Sequence, residues 1–188
     1  MPRILVFSGA TRTGSLNQRL ADIAARQLAT LGAEVTSISL ADYPLPFVGE
    51  EGRGNAPEAA HKLAEVIGKH EGLFITCPEY NAGYPPILKN ALDWVSLAKP
   101  GAPASTLAGK VVALGAASPG PRGGYRGLTQ FRSVLELGFG ALVIPEMVSV
   151  PMANKTLTEA GEVADEMVAK FLEASLKRLV REAGFARG

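Results

Sequence analysis

The strongest constraint on the fold is an alternation of short apolar runs with segments of helical spacing. Ile4-Leu5-Val6-Phe7 is continuous, partly β-branched and aromatic, and stopped by Ser8-Gly9. A run without polar positions reads as a strand buried on both faces, as in parallel sheets. Leu16, Leu20, Ile23, Ala24, Leu28 and Leu31 then recur at helical spacing, opened by Ser15 and closed by Gly32. Glu34 to Leu40 alternates and predicts a second strand. A helix follows from Pro57 to about Lys69, then a strand over Gly72–Thr76. Pro85 opens a helix with Ile87, Leu88, Ala91, Leu92 and Val95 on one face. Lys110 to Gly115 predicts the fourth strand, Leu128 to Leu137 a helix, and Ala141 to Ile144 the fifth strand. The last helix is predicted from Thr158, with Val163, Met167, Phe171, Leu172, Leu176 and Leu179 on its apolar side. Glu166 with Lys170, and Glu173 with Lys177, fall at the supportive i,i+4 spacing. The pattern predicts one α/β domain over residues 1–188, with a parallel sheet covered by helices on both faces.

In such sheets ligands bind outside the carboxyl ends of the strands. The connecting loops are where this chain concentrates its 21 Gly and 13 Pro, an excess that asks for loops of special geometry. The loop after the first strand, Ser8 to Asn17, is made of small residues and ends at a helix N-terminus. Free N–H groups and the helix dipole favour an anion there, and Arg12 adds a guanidinium fork. It reads either as a phosphate cradle or as a strand-to-helix turn capped by Ser15. It lacks the Gly-Lys-Ser/Thr ending of a P-loop and the glycine spacing of a dinucleotide fingerprint. The loop after the third strand runs Cys77-Pro78-Glu79-Tyr80-Asn81-Ala82-Gly83-Tyr84-Pro85-Pro86, stiff with Pro and carrying flat aromatic faces. Glu79 reads as a solvated carboxylate or a helix cap. Lys89, Asn90 and Asp93 read as helix-surface pairs or a subunit contact. The loop after the fourth strand, Ser118 to Gly127, is also Gly-rich, and its Arg122 and Arg126 face either phosphates or solvent. The 44–57 loop has no assigned role beyond a candidate subunit contact.

Two motifs carry a resemblance. Gly-Ala-Thr-Arg-Thr-Gly-Ser-Leu-Asn at 9–17 resembles the G-S-x-R-x-x-S-x-N motif of the NADPH-dependent FMN reductase family. Pro78-Glu79-Tyr80-Asn81, followed by Leu88-Lys89-Asn90-Ala91-Leu92-Asp93-Trp94, is similar to that family's second motif, P-E-Y-N then L-K-N-A-x-D-W. The family includes bacterial quinone, chromate and azo-dye reductases, and the resemblance extends to about residue 152. It implies a flavodoxin-like three-layer sandwich with a five-stranded parallel sheet in the order 2-1-3-4-5. It implies one FMN per subunit, NADPH or NADH as donor, a small-molecule acceptor, and a homodimer or homotetramer. By position, Arg12, Ser15, Leu16 and Asn17 would hold the FMN phosphate. Pro78, Glu79, Tyr80 and Asn81 would line the ring and ribityl chain, and Ser118, Gly120 and Gly123 would close over the ring's polar edge. The family's second-position Ser is Ala10 here, leaving Ser8 and Thr11 as the hydroxyls available to replace it.

Charge narrows the function classes. Lys plus Arg is 19 and Asp plus Glu is 18, a net charge of +1, so no basic excess points to nucleic acid. The same balance disfavours an electron carrier of the flavodoxin kind, which docks by an acidic surface. That carrier, or a regulatory flavoprotein with little turnover, is the alternative to an FMN-dependent NAD(P)H oxidoreductase. A flavoenzyme needs no dedicated acid–base residue, since the cofactor carries the hydride chemistry. The single Cys77 forms no intrachain disulfide and reads as a buried apolar residue. His61 and His70 have no metal spacing, and Trp94 reads as packing or interface. The N-terminal apolar run is too short for a secretory signal, and no membrane span is expected, so the cytoplasm is the expected location.

Overall fold

The computed structural model describes residues 1–49, 55–98 and 106–186. The elements in chain order are β1 (Arg3–Ser8), α1 (Leu16–Thr30), β2 (Glu34–Ser39), α2 (Glu58–Gly68), β3 (Gly72–Thr76), α3 (Pro86–Leu97) and β4 (Val111–Ala117). They continue with α4 (Tyr125–Ser133), β5 (Leu142–Val143), β6 (Val148–Val150), the single turn α5 (Ala153–Thr156) and α6 (Glu166–Phe185). The sheet is parallel in the order β2-β1-β3-β4-β5, the flavodoxin-like order. Strand residues alternate between two apolar layers. Leu5, Phe7, Leu73, Ile75, Val112 and Leu114 pack under α2, α3 and α4. Ile4, Val6, Phe74 and Ala113 pack under α1 and α6. Every residue of β3 and β4 is buried, as a strand covered on both faces requires. Among the described residues, no helix is long and apolar enough to cross a membrane.

Three expectations need correction. The fifth strand is interrupted. β5 pairs with the start of β4 and β6 with its end, so two short strands share one edge. Pro145 lies in the break, where its missing N–H would have left a gap in the ladder. The guanidinium of Arg132 fills the space, donating to the carbonyls of Val143 and Ile144, both at 3.0 Å. The last helix begins at Glu166, not at Thr158. Thr158 instead closes a turn around Gly161, and Leu157 pairs with Val163 as an isolated antiparallel bridge. Asp165 is the cap, accepting from Val168 N at 2.9 Å. The inward stripe is therefore Val168, Leu172, Leu176, Leu179 and Ala183, while Met167 and Phe171 are exposed. The fourth helix starts at Tyr125, three residues early, and passes into a π turn over Val134–Gly138.

Candidate active site

The carboxyl ends of β1, β3 and β4 are pinned level by backbone bonds. Gly9 N donates to Thr76 O, and Cys77 N to Gly115 O, both at 2.8 Å. Outside them lies a cleft lined by Ala10, Arg12, Ser15, Leu16, Asn17, Pro78, Glu79, Tyr80, Ala117, Ser118 and Pro119. Eight of the twelve anticipated residues line it, and they come from all three anticipated loops. Ser8, Asn81, Gly120 and Gly123 are not among the lining residues.

Ser15 caps α1 in extended conformation, and its Oγ accepts from Gln18 N at 3.4 Å. The N–H groups of Leu16 and Asn17 bond to nothing among the described residues, which leaves two helix-end donors at the cleft. Arg12 is exposed beside them, with no ion pair among the described residues. The Asn17 side chain is mostly spent on structure. Its Nδ2 donates to Ala117 O at 2.8 Å and its Oδ1 accepts from Ala117 N at 3.0 Å. Thr76 Oγ1 donates to Asn17 O at 3.0 Å. Asn17 thus stitches α1 to the ends of β3 and β4 and aims the free helix amides. Ser8 is buried and its Oγ accepts from Ala10 N at 3.2 Å, so it shapes the turn at the position where the family's Ser is missing.

The second loop is a two-residue hairpin. Tyr80 and Gly83 exchange both backbone bonds at 2.9 Å around Asn81 and Ala82, whose φ values are 50° and 69°. Tyr80 projects outward, 58% exposed. The Glu79 side chain turns the other way, toward α4. Its carboxylate accepts from Arg126 N at 3.1 Å, Gly127 N at 3.3 Å and Arg126 Nε at 2.8 Å, and also pairs with Arg126 Nη2. The Arg126 guanidinium holds the Glu79 carboxyl below the usual carboxylate range, with the Gly127 and Arg126 backbone N–H groups adding to it. Of the readings open for Glu79, the helix cap describes its side chain; its backbone stays at the cleft.

The third loop is clamped from behind. Met152 N donates to Gly120 O at 3.2 Å, Ala153 N to Ser118 O at 2.9 Å and Ser149 Oγ to Arg122 O at 3.1 Å. Gly123 has φ 57° and approaches so closely that a Cβ would sit 2.8 Å from Pro151 N. Gly124 has φ 85°, and a Cβ there would lie 2.7 Å from Ala116 Cβ. These glycines let the loop seat on β4 and β6. Arg126 is committed to Glu79, whereas Arg122 is exposed.

The tail of the second motif has a structural task that residue types alone did not reveal. Asn90 Oδ1 accepts from Val48 N at 2.8 Å and its Nδ2 donates to Pro46 O at 2.9 Å. Trp94 Nε1 donates to the same Pro46 carbonyl at 2.6 Å. Lys89 pairs with Asp93 one turn on. The motif therefore staples part of the 44–57 loop to α3; residues 50–54 of that loop lie outside the described residues. Cys77 is fully buried and its thiol is pushed up to about 12, first by burial. His70 is a satisfied buried histidine, its ring nitrogens on Val66 O and Thr36 Oγ1 at 2.7 and 2.8 Å. Among the described residues no cluster of His, Cys, Asp and Glu would hold a metal.

A flavodoxin-like sheet, a helix end whose first amides have no partner among the described residues and lie beside an arginine, and a stiff aromatic-bearing turn across the cleft suit a nucleotide with a phosphate tail and a planar ring. Those features define a flavoprotein of the flavodoxin-like class. The family model of NADPH-dependent FMN reductase matches residues 2–155. A quinone reductase of Escherichia coli is 34% identical over 167 residues, covering 87% of this chain and 86% of its own. An NAD(P)H-dependent FMN reductase of Pseudomonas aeruginosa is 30% identical, covering 94% of this chain and 92% of its own. Among solved structures, FerB of Paracoccus denitrificans, a flavoenzyme NAD(P)H:(acceptor) oxidoreductase, superposes with a TM-score of 0.83 at 27% identity, covering 99% of both chains. The chain belongs to the NADPH-dependent FMN reductase family. It is an FMN-dependent oxidoreductase with NAD(P)H as electron donor.

Proposed function

We propose that the chain reduces small quinone-type acceptors with NAD(P)H, with FMN seated in the cleft at the carboxyl ends of β1, β3 and β4. The observation that carries this reading is the α1 terminus, where the Leu16 and Asn17 amides have no partner among the described residues and lie beside Arg12. In this reading Arg12, Ser15, Leu16 and Asn17 take the phosphate, through the guanidinium, the helix-end N–H groups and the Ser15 hydroxyl. Pro78, Glu79, Tyr80 and Asn81 form the turn against which the ring lies, chiefly by backbone. Ser118, Gly120 and Gly123 shape the opposing loop. When bound, FMN supplies the hydride relay between nicotinamide and acceptor. The protein's share is to orient the two partners in turn, and no side chain need transfer a proton. Quinone-type acceptors are supported by the relatives named quinone reductase and 2-hydroxy-1,4-benzoquinone reductase, and azo compounds by one named NADPH azoreductase.

The same proposal holds residues 1–188 to be one cofactor-binding domain that works in the cytoplasm as a homodimer or homotetramer. Tyr80, Ile87 and Tyr125 support the assembly: they are 58%, 39% and 51% exposed, all on the loops and helix starts of the carboxyl edge. The test is a visible spectrum of purified protein loaded with FMN and desalted. A flavin band that bleaches with anaerobic NADPH and returns on adding a quinone is the expected result. A colourless protein, or a flavin that NADPH and NADH both leave oxidised, overturns the reading.

A further inference from the structure

The turn after β3 and the start of α4 are joined by bonds that the proposed flavin contacts do not use. The Glu79 carboxylate meets two backbone N–H groups and the guanidinium of α4, and its side chain is only 10% exposed. One turn along, Gln130 Nε2 donates to Ala82 O at 2.9 Å. Gly127 allows the approach, since a Cβ there would lie 3.0 Å from Gly83 O. The N-terminus of α4 thus already holds its anion, supplied by the chain itself. Pro78, Glu79 and Tyr80 line the cleft on the other side of this junction. The charge of Glu79 is matched by Arg126, so the pair presents no net charge to the cleft.

We infer that Glu79 is a positioning residue: by capping α4 it holds the 78–83 turn in the shape the flavin ring meets, and Arg126 keeps that wall of the cleft electrically neutral. The inference rests on the proposed seat of FMN in this cleft. It carries a charge consequence. Hydride arrival brings two electrons and one proton and adds one negative charge to the ring. A guanidinium left without its carboxylate therefore favours the reduced cofactor, and a carboxylate left without its guanidinium disfavours it. Glu79→Gln keeps the shape and one acceptor oxygen. Arg126→Gln leaves the carboxylate on its two backbone N–H groups. The two replacements unbalance the wall in opposite senses.

The test uses apoprotein titrated with FMN by fluorescence, followed by anaerobic redox titration of the loaded protein. Glu79→Ala is expected to weaken FMN binding by at least about tenfold, and Glu79→Gln by about threefold. Glu79→Gln should raise, and Arg126→Gln lower, the reduced-to-oxidised ratio by about tenfold, which is ~30 mV for a two-electron couple. The double replacement should return within about threefold of the parent. Hydrogen exchange of apoprotein gives a readout free of cofactor: Glu79→Ala should lose protection at the Arg126 and Gly127 amides and at the Tyr80 and Gly83 hairpin amides. If both single variants bind FMN and shift the ratio in the same sense or not at all, the neutral-clamp inference is overturned while the flavin site stands. If the parent apoprotein takes up no FMN, both fall together. If Glu79→Ala does not fold, the two Gln variants decide.

Discussion

Asn81 and Ala82 sit at φ 50° and 69°, the left-handed pair that a two-residue hairpin between Tyr80 and Gly83 requires. Asn tolerates that region; Ala does not, and its Cβ costs about 1–2 kcal/mol there. Gly at position 82 would relieve this strain while losing about 0.5–1 kcal/mol of extra chain entropy on folding. Ala82→Gly should therefore stabilise the protein by about 0.5–1 kcal/mol, read as a higher urea midpoint with an unchanged slope. Three residues earlier, Glu79 gives the molecule an acid-sensitive joint. Its carboxyl is held below the ordinary value of 4.5, first by the Arg126 guanidinium. A group whose pKa is lower folded than unfolded stabilises fully above its unfolded value and loses that contribution as pH falls through the folded one. The stability gap between the parent and Glu79→Gln should then stay level near neutrality and close progressively below about pH 4.5. Urea melts from pH 7 to pH 3 check this; a gap that widens in acid contradicts it.

At the scale of elements, the break between β5 and β6 is held by a side chain rather than by the ladder. Arg132 donates to Val143 O and Ile144 O and pairs with Glu136 at 2.8 Å. Replacing it with Met keeps most of the apolar stem and leaves two carbonyls without their donor, so a loss of about 1–3 kcal/mol is expected in denaturant melts. The staple on α3 is the counterpart for the segment that follows β2. Asn90→Ala removes both of its bonds to the 46–48 segment, and the Val48 amide should lose its exchange protection while amides of β3 keep theirs. These two devices mark where the sequence stopped being legible. Strands β1, β3 and β4 announce themselves as apolar runs, and Ser15, Gly32 and Pro85 punctuate their helices, because burial on two faces and capping are local signals. The split of the fifth strand depends on a guanidinium arriving from α4, and the start of α6 on a Gly161 turn that competes with Thr158 for the cap. At the cleft, residue types and spacing pointed to Arg12, Ser15, Pro78 and Tyr80, and these four line its walls. They could not show that the side chains of Asn17 and Glu79 are spent on partners 100 and 47 residues away. Such pairings follow from the sheet order, not from neighbouring residues.

Across the whole molecule, the cleft and the core share the central strand, and Cys77 reports on both. It follows β3 directly, with 0% exposure, and its thiol is pushed up to about 12 by burial. Attack on a thiol reagent needs a thiolate in contact with solvent, and the folded chain offers neither. Labelling should therefore proceed only through an opening that pulls β3 out of the two apolar layers holding it. Pro78, the next residue, lines the cleft, so an opening large enough to expose Cys77 also dismantles the proposed flavin seat. Ligand that binds the folded state alone stabilises it by about 2.7 kcal/mol at a hundred times its dissociation constant. FMN at that concentration should slow Cys77 labelling of the apoprotein by about a hundredfold under conditions where reclosing outpaces the reagent. Mass spectrometry of the labelled fraction over time measures the effect. A labelling rate indifferent to FMN would mean that Cys77 is reached by a local motion that spares the cleft, and the strand and the site would then open independently.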